Sequence, residues 1–215
     1  MKRLTSLALL AAALILTACS TLWDATREHV FGTEKRTILA SRVADAKEAQ
    51  EDTQKVFQSA LDEFSSVVAF DGGDLEAAYR KMQAAYDRCA DKAEALDDRI
   101  SNVERVSRAL FKEWAKENKE YENATYRQNS ERQLRATQKS CDDMIAAMRR
   151  AQSKVTPVLR VLRDQVLYLK HNLNAAALAS LKDEQARVES DIAALIDEMN
   201  TAISESQQFI DKLTK

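Results

Sequence analysis

Apolar residues recur along the middle of this chain at alternating spacings of four and three. Leu75, Tyr79, Met82, Tyr86, Cys89, Ala93, Leu96, Ile100, Val103, Ser107, Leu110 and Trp114 follow one another without a slip. That is a heptad seam sustained for more than five repeats, the signature of a long helix packed against others. A second seam runs from Leu134 through Cys141, Ile145, Met148, Val155, Leu159, Leu162, Val166 and Leu169 to Leu173. It stays in register through Pro157, so the proline is expected to kink a helix and not to end it. An earlier stripe joins Leu39, Val43, Ala46, Phe57, Ala60, Phe64 and Val67, and a later one runs from Leu181 and Val188 to Phe209 and Leu213. Ile196, Ile203 and Ile210 widen this last stripe, as a multi-helix core requires.

Turn chemistry divides the periodic stretches. In Phe70-Asp71-Gly72-Gly73-Asp74 the glycines suit a helix end and Asp74 suits an N-cap. The polar run from Glu122 to Ser130 is a softer break. Between Leu173 and Leu181 the seam slips by one residue, near Asn172 and Asn174, which suit a C-terminal turn and an N-cap. A single continuous helix could also absorb that slip as a stutter. The pattern predicts helices over 34–70, 74–122, 128–171 and 175–213, the longest spanning roughly 70 Å. The expected fold is all-α: an elongated antiparallel bundle of about four long helices with coiled-coil-like heptad packing, forming one domain over 34–215.

The N-terminus follows different rules. Lys2 and Arg3 precede an apolar stretch from Leu7 to Leu16, the pattern of a secretory signal peptide. The stretch is too short to span a bilayer, which takes about 20 apolar residues. Leu16-Thr17-Ala18-Cys19 then resembles the lipobox of bacterial lipoproteins, in which the cysteine is lipidated and becomes the new N-terminus. The expectation is a signal peptide over 1–18, then lipidated Cys19 and a tether over 19–33. Several acyl chains, at about 0.8 kcal/mol per buried CH2, would anchor the chain stably. By analogy with such lipoproteins, Ser20, where an aspartate would favour retention in the inner membrane, points to the inner leaflet of the outer membrane, facing the periplasm.

Composition supports this picture and narrows it. Three glycines, one proline and 31% charged residues leave little material for turns or strands. Without Lys2 and Arg3 the chain carries 30 basic and 34 acidic side chains, net −4, which argues against nucleic acid as a partner. The charge is unevenly placed: net −6 over 40–126, +6 over 127–171 and −4 over 172–215. Alternating signs would help the helices choose neighbours. They could also make a patch of Arg149, Arg150, Lys154, Arg160 and Arg163 for anionic lipid headgroups, glycan or an acidic protein.

Catalytic chemistry is hard to find. His29 and His171 are the two histidines, and HExxH, GxSxG, phosphate-loop and CxxC motifs are absent. The pairs Asp97-Asp98 and Asp142-Asp143 are sequence neighbours, about 100° apart on a helix, and read as solvated surface. No enzyme activity, metal, cofactor or small-molecule substrate is predicted. Asn123-Ala124-Thr125 fits a glycosylation sequon, whose use an exported bacterial chain gives no reason to expect. Cys89 and Cys141 both occupy seam positions. A hairpin near residue 124 would offset them by roughly 27 Å, so no disulfide is predicted. The stretch from Asp164 to Asn174 gathers mixed chemistry at a helix end, and Tyr168, Lys170, His171 and Asn172 are candidate partner or ligand contacts. The competing reading is structural: Lys170 and His171 meeting helix carbonyls while the asparagines turn the chain.

Four separated segments carry a resemblance. Phe31-Gly32-Thr33-Glu34-Lys35-Arg36, Phe70 to Leu75, Ser130-Glu131-Arg132-Gln133-Leu134 and Gln165 to Asn174 together resemble a family of bacterial envelope proteins catalogued as domain of unknown function 2959. The resemblance implies a helical lipoprotein and supplies no activity or site residue. The functional expectation is a membrane-anchored, non-enzymatic structural or adaptor lipoprotein. Its partners would be the membrane through the lipid and either an envelope protein or a second copy of itself. The alternative is a peripheral membrane-binding module that lays its basic helix on anionic lipid or glycan.

Overall fold

Asparagine and aspartate side chains start three of the four helices. The computed structural model describes residues 32–69, 74–172 and 174–214, which form α1 (Gly32–Val68), α2 (Leu75–Glu117), α3 (Ala124–His171) and α4 (Ala175–Leu213). The Asp74 carboxylate accepts from the Glu76 and Ala77 amides at 3.0 and 3.2 Å, satisfying donors that the first turn of α2 leaves without partners. Asn123 does the same for α3, accepting from Thr125 and Tyr126 at 2.9 and 3.2 Å, and Asn174 for α4, accepting from Ala177 at 3.0 Å. The sequon asparagine is therefore a helix cap. It starts α3 four residues before the expected position, and α2 ends at Glu117 instead of 122. The last two helices are separate, as Asn172 ends one and Asn174 begins the next. Pro157 lies inside α3, which continues past it.

Cross-helix contacts fix an up-down-up-down arrangement. Between α1 and α2, Lys35 meets Glu113 and Asp52 meets Lys92, so numbers rise along one helix as they fall along the other. Trp114 meets Ser130 and Glu104 meets Arg149 between α2 and α3. Lys47 and Gln54 of α1 meet Gln207 and Asn200 of α4. Each helix packs on two neighbours, α1 on α2 and α4, α3 on α2 and α4, which closes a four-helix ring. Among the described residues there is no strand.

One core runs along the axis, from Leu39, Val43 and Phe57 on α1 to Leu195, Met199 and Phe209 on α4. On α3 the buried stripe is broader than the seam: Met144, Ala147, Ala151 and Val158 join it, while Ile145 and Leu159 stand at its edge. A helix with neighbours on two sides buries more than a two-stranded seam would. The wide gap between Ala46 and Phe57 is filled by polar Gln50 and Thr53, both fully buried; the Thr53 hydroxyl donates to the Ala49 carbonyl at 2.7 Å.

α1 and α4, of 37 and 39 residues, are staggered, each overrunning the other at one end. The Lys47–Gln207 register sets Leu213 beside residue 41 of α1, so α1, α2 and α3 run roughly 15 Å past the end of α4. Accordingly, Ala124 to Asn129 are all exposed, and Leu134 is the first buried residue of α3.

Candidate functional site

The residues singled out near the end of α3 do not converge. Tyr168 is 41% exposed and lines a groove between α3 and α4, whereas Lys170 and His171 are exposed in the last turn. Successive helix positions lie about 100° apart, so these side chains radiate from the axis. Asn172 caps the helix: its backbone N–H donates to the Leu169 carbonyl and its amide to the Tyr168 carbonyl, at 3.1 and 3.0 Å.

The basic patch is likewise divided. Arg149 turns to α2, where Nε donates to Glu104 at 2.7 Å, and its other nitrogens reach Asp97 and Ser101 at 2.5 and 3.1 Å. The bonded guanidinium holds the Glu104 carboxyl below the usual carboxylate range, and the two carboxylates raise Arg149 in turn. Arg150, one position on, faces α4 and stands 4.0 Å from Glu198. Lys154, Arg160 and Arg163 are exposed. The two arginines at the head of the patch thus join the basic helix to its acidic neighbours.

Cys89 and Cys141 both lie in the core. Cys89 stands 3.7 Å from the Val56 carbonyl of α1, and Cys141 lies beside Ser107, eighteen positions along α2 from Cys89, roughly 27 Å at helical rise. Burial pushes each thiol up to about 12. Cys19 and the tether through Phe31 fall outside the described residues.

One cleft was not anticipated from the sequence. It occupies about 670 Å³ on the flank that α4 leaves uncovered, among Arg36, Glu113, Trp114, Tyr121, Tyr126 and Gln133. Trp114 joins three helices there. The Arg36 guanidinium of α1 lies 4.2 Å from its ring centroid, a cation–π contact. Its indole N–H donates to Ser130 at 2.8 Å, and the Ser130 hydroxyl donates onward to Asn118 at 2.6 Å. Beside it, the Lys35 ammonium stands 2.9 Å from Glu113 as a charge pair without hydrogen-bond alignment. Tyr121 and Tyr126 are 43% and 63% exposed at the hairpin tip. Two of the segments carrying the family resemblance, at Lys35-Arg36 and at Ser130 to Gln133, meet around this cleft. That pairing was the available signal, but it became spatial only once α1 and α3 packed on either side of α2.

Among the described residues no group of histidine, cysteine, aspartate and glutamate could hold a metal ion, and no helix is long and apolar enough to cross a membrane. Compared with known proteins, residues 23–213 match the family model described as "Protein of unknown function (DUF2959)". No curated protein and no solved structure matches the chain.

Proposed function

We propose a function from the premise that this chain belongs to the DUF2959 family: it is a lipid-anchored envelope protein that holds a binding surface away from the membrane, with no catalytic part. The anchor is the lipidated Cys19 that the lipobox-like segment suggests. The observation that carries the reading is the direction of α1. It starts beside the α2–α3 hairpin and finishes roughly 55 Å away, at the end where α1 meets α2 and α3 meets α4. A lipid about a dozen residues before Gly32 would hold the hairpin end near the bilayer and present the far end to the periplasm. A single core along the whole length makes the bundle a stiff spacer.

Crosslinking in intact envelopes followed by capture of the anchored protein tests this. A defined partner at the far end is expected; no partner, together with an unchanged envelope on deletion, would overturn it. The exposed Lys154, Arg160 and Arg163 favour a second reading, in which α3 lies on anionic lipid. Binding to anionic vesicles that weakens with salt supports it, and indifference to both rules it out.

A further inference from the structure

Arg36 has no acidic partner among the described residues. It lies over the Trp114 ring, a contact that engages the face of the guanidinium and leaves its edge, where the five N–H donors point outward. Among the described residues no acceptor meets those donors. The unpaired carboxamides of Gln50 and Gln165 are sealed from solvent; the Arg36 nitrogens are not, and they open onto the cleft that Arg36 lines. Arg160 and Arg163 stand fully exposed in water, whereas Arg36 is half-buried and held against a ring, so its fork is fixed before any ligand arrives.

The same cleft holds an acid without a cation. Glu113 is matched by Lys35, but Glu117 is exposed and has no basic partner among the described residues. Opposite charges that line one cleft without neutralising each other suit a ligand that carries both. Trp114, beneath Arg36, and Glu117 lie one turn apart, about 4.5 Å along α2, a span that two carbons and an oxygen bridge. A guanidinium edge pairs bidentately with phosphate, and Trp114, Tyr121 and Tyr126 add aromatic surface that attracts an ammonium. Position then selects the source. Cys19 precedes Arg36 by 17 residues, so a lipid there keeps the cleft beside phospholipid headgroups, and the exposed tyrosines are of the type that gathers at membrane–water interfaces.

We propose that the Trp114 cleft binds the phosphoethanolamine headgroup of a zwitterionic phospholipid, with the Arg36 guanidinium on the phosphate and Glu117 on the ammonium. The proposal deepens the anchored reading and rests on it for the supply of headgroup. The test is saturation-transfer NMR on the acylated full chain in deuterated dodecyl maltoside, with glycerophosphoethanolamine as the probe and glycerophosphate and glycylglycine as comparisons. Transfer to glycerophosphoethanolamine is expected, falling about tenfold in Arg36→Gln as charge-assisted hydrogen bonds are lost and recovering only in part in Arg36→Lys. A preference of about threefold over glycerophosphate should disappear in Glu117→Gln, an exposed substitution that reads the same site without disturbing the core. Transfer that is absent, unchanged in Arg36→Gln, or no stronger than that to glycerophosphate or glycylglycine would overturn the proposal. Headgroup binding by a chain whose Cys19 proves unmodified by intact-mass spectrometry of envelope-purified protein sinks the anchored reading and leaves the cleft standing; a lipidated chain that ignores the headgroup does the reverse.

Discussion

Arg149 looks in the sequence like the head of a surface patch, and in the structure it clasps α3 to α2. Its bonds to Glu104, Asp97 and Ser101 are partly shielded, with the arginine side chain 31% exposed. Arg149→Ala should lower stability by about 1 kcal/mol in urea denaturation at neutral pH, near the top of the range for exposed pairs because several bonds act together. The pH dependence has a definite sign. Glu104 is lowered in the folded state, so its contribution is present above the unfolded carboxylate value and fades as pH falls through the folded one. The gap between wild type and Arg149→Ala should therefore close below about pH 4. The thiols run the other way. Cys89 and Cys141, raised to about 12, contribute stability that is complete below the unfolded thiol value and is lost as pH climbs toward 12. At pH 8 both should react with a disulfide reagent at least about a hundredfold more slowly in the folded protein than in urea.

At the scale of the helix, most boundaries come from single polar side chains. Asp74 and Asn174 were readable in advance because each stands at a break in hydrophobic period. Asn123 was less legible, since the residues around it are polar on every side and no apolar stripe marks where α3 begins. The reason is tertiary: α4 has already ended, so the first turns of α3 have no core to face. Replacing Asn123 or Asn174 with alanine should cost about 1 kcal/mol each, measured by thermal or urea unfolding. The loss should be more local at Asn123, where hydrogen exchange near Thr125 and Tyr126 should quicken without a matching change in the core.

Across the whole molecule, the bundle has two unlike ends. The hairpin end carries the Trp114 cleft and exposed tyrosines; the far end carries two connections and the α3–α4 groove. Segments far apart in the chain meet at the hairpin end, where Arg36 of α1 and Ser130 of α3 both reach Trp114. Cys19→Ala should release or mislocalise the protein in fractionated cells, while its helical circular-dichroism signal and melting temperature stay close to those of the wild type. Unfolding of the variant would mean that the anchor has a structural part to play.

The sequence by itself determined the helix count, the approximate spans, the antiparallel bundle and the core positions of α1 and most of those of α4. Those properties are local: an apolar period of three and four residues, and capping groups that bond amides two or three positions away. Only the tertiary structure decided which charges meet, that Arg149 and Arg150 serve different neighbours, and that Tyr168, Lys170 and His171 point apart. It also decided where the Trp114 cleft lies, because that cleft arises from something missing on a neighbour, the early end of α4. Heptad spacing says which face of a helix is buried. It does not say how far each partner extends along that face, and here the cleft depends on that extent.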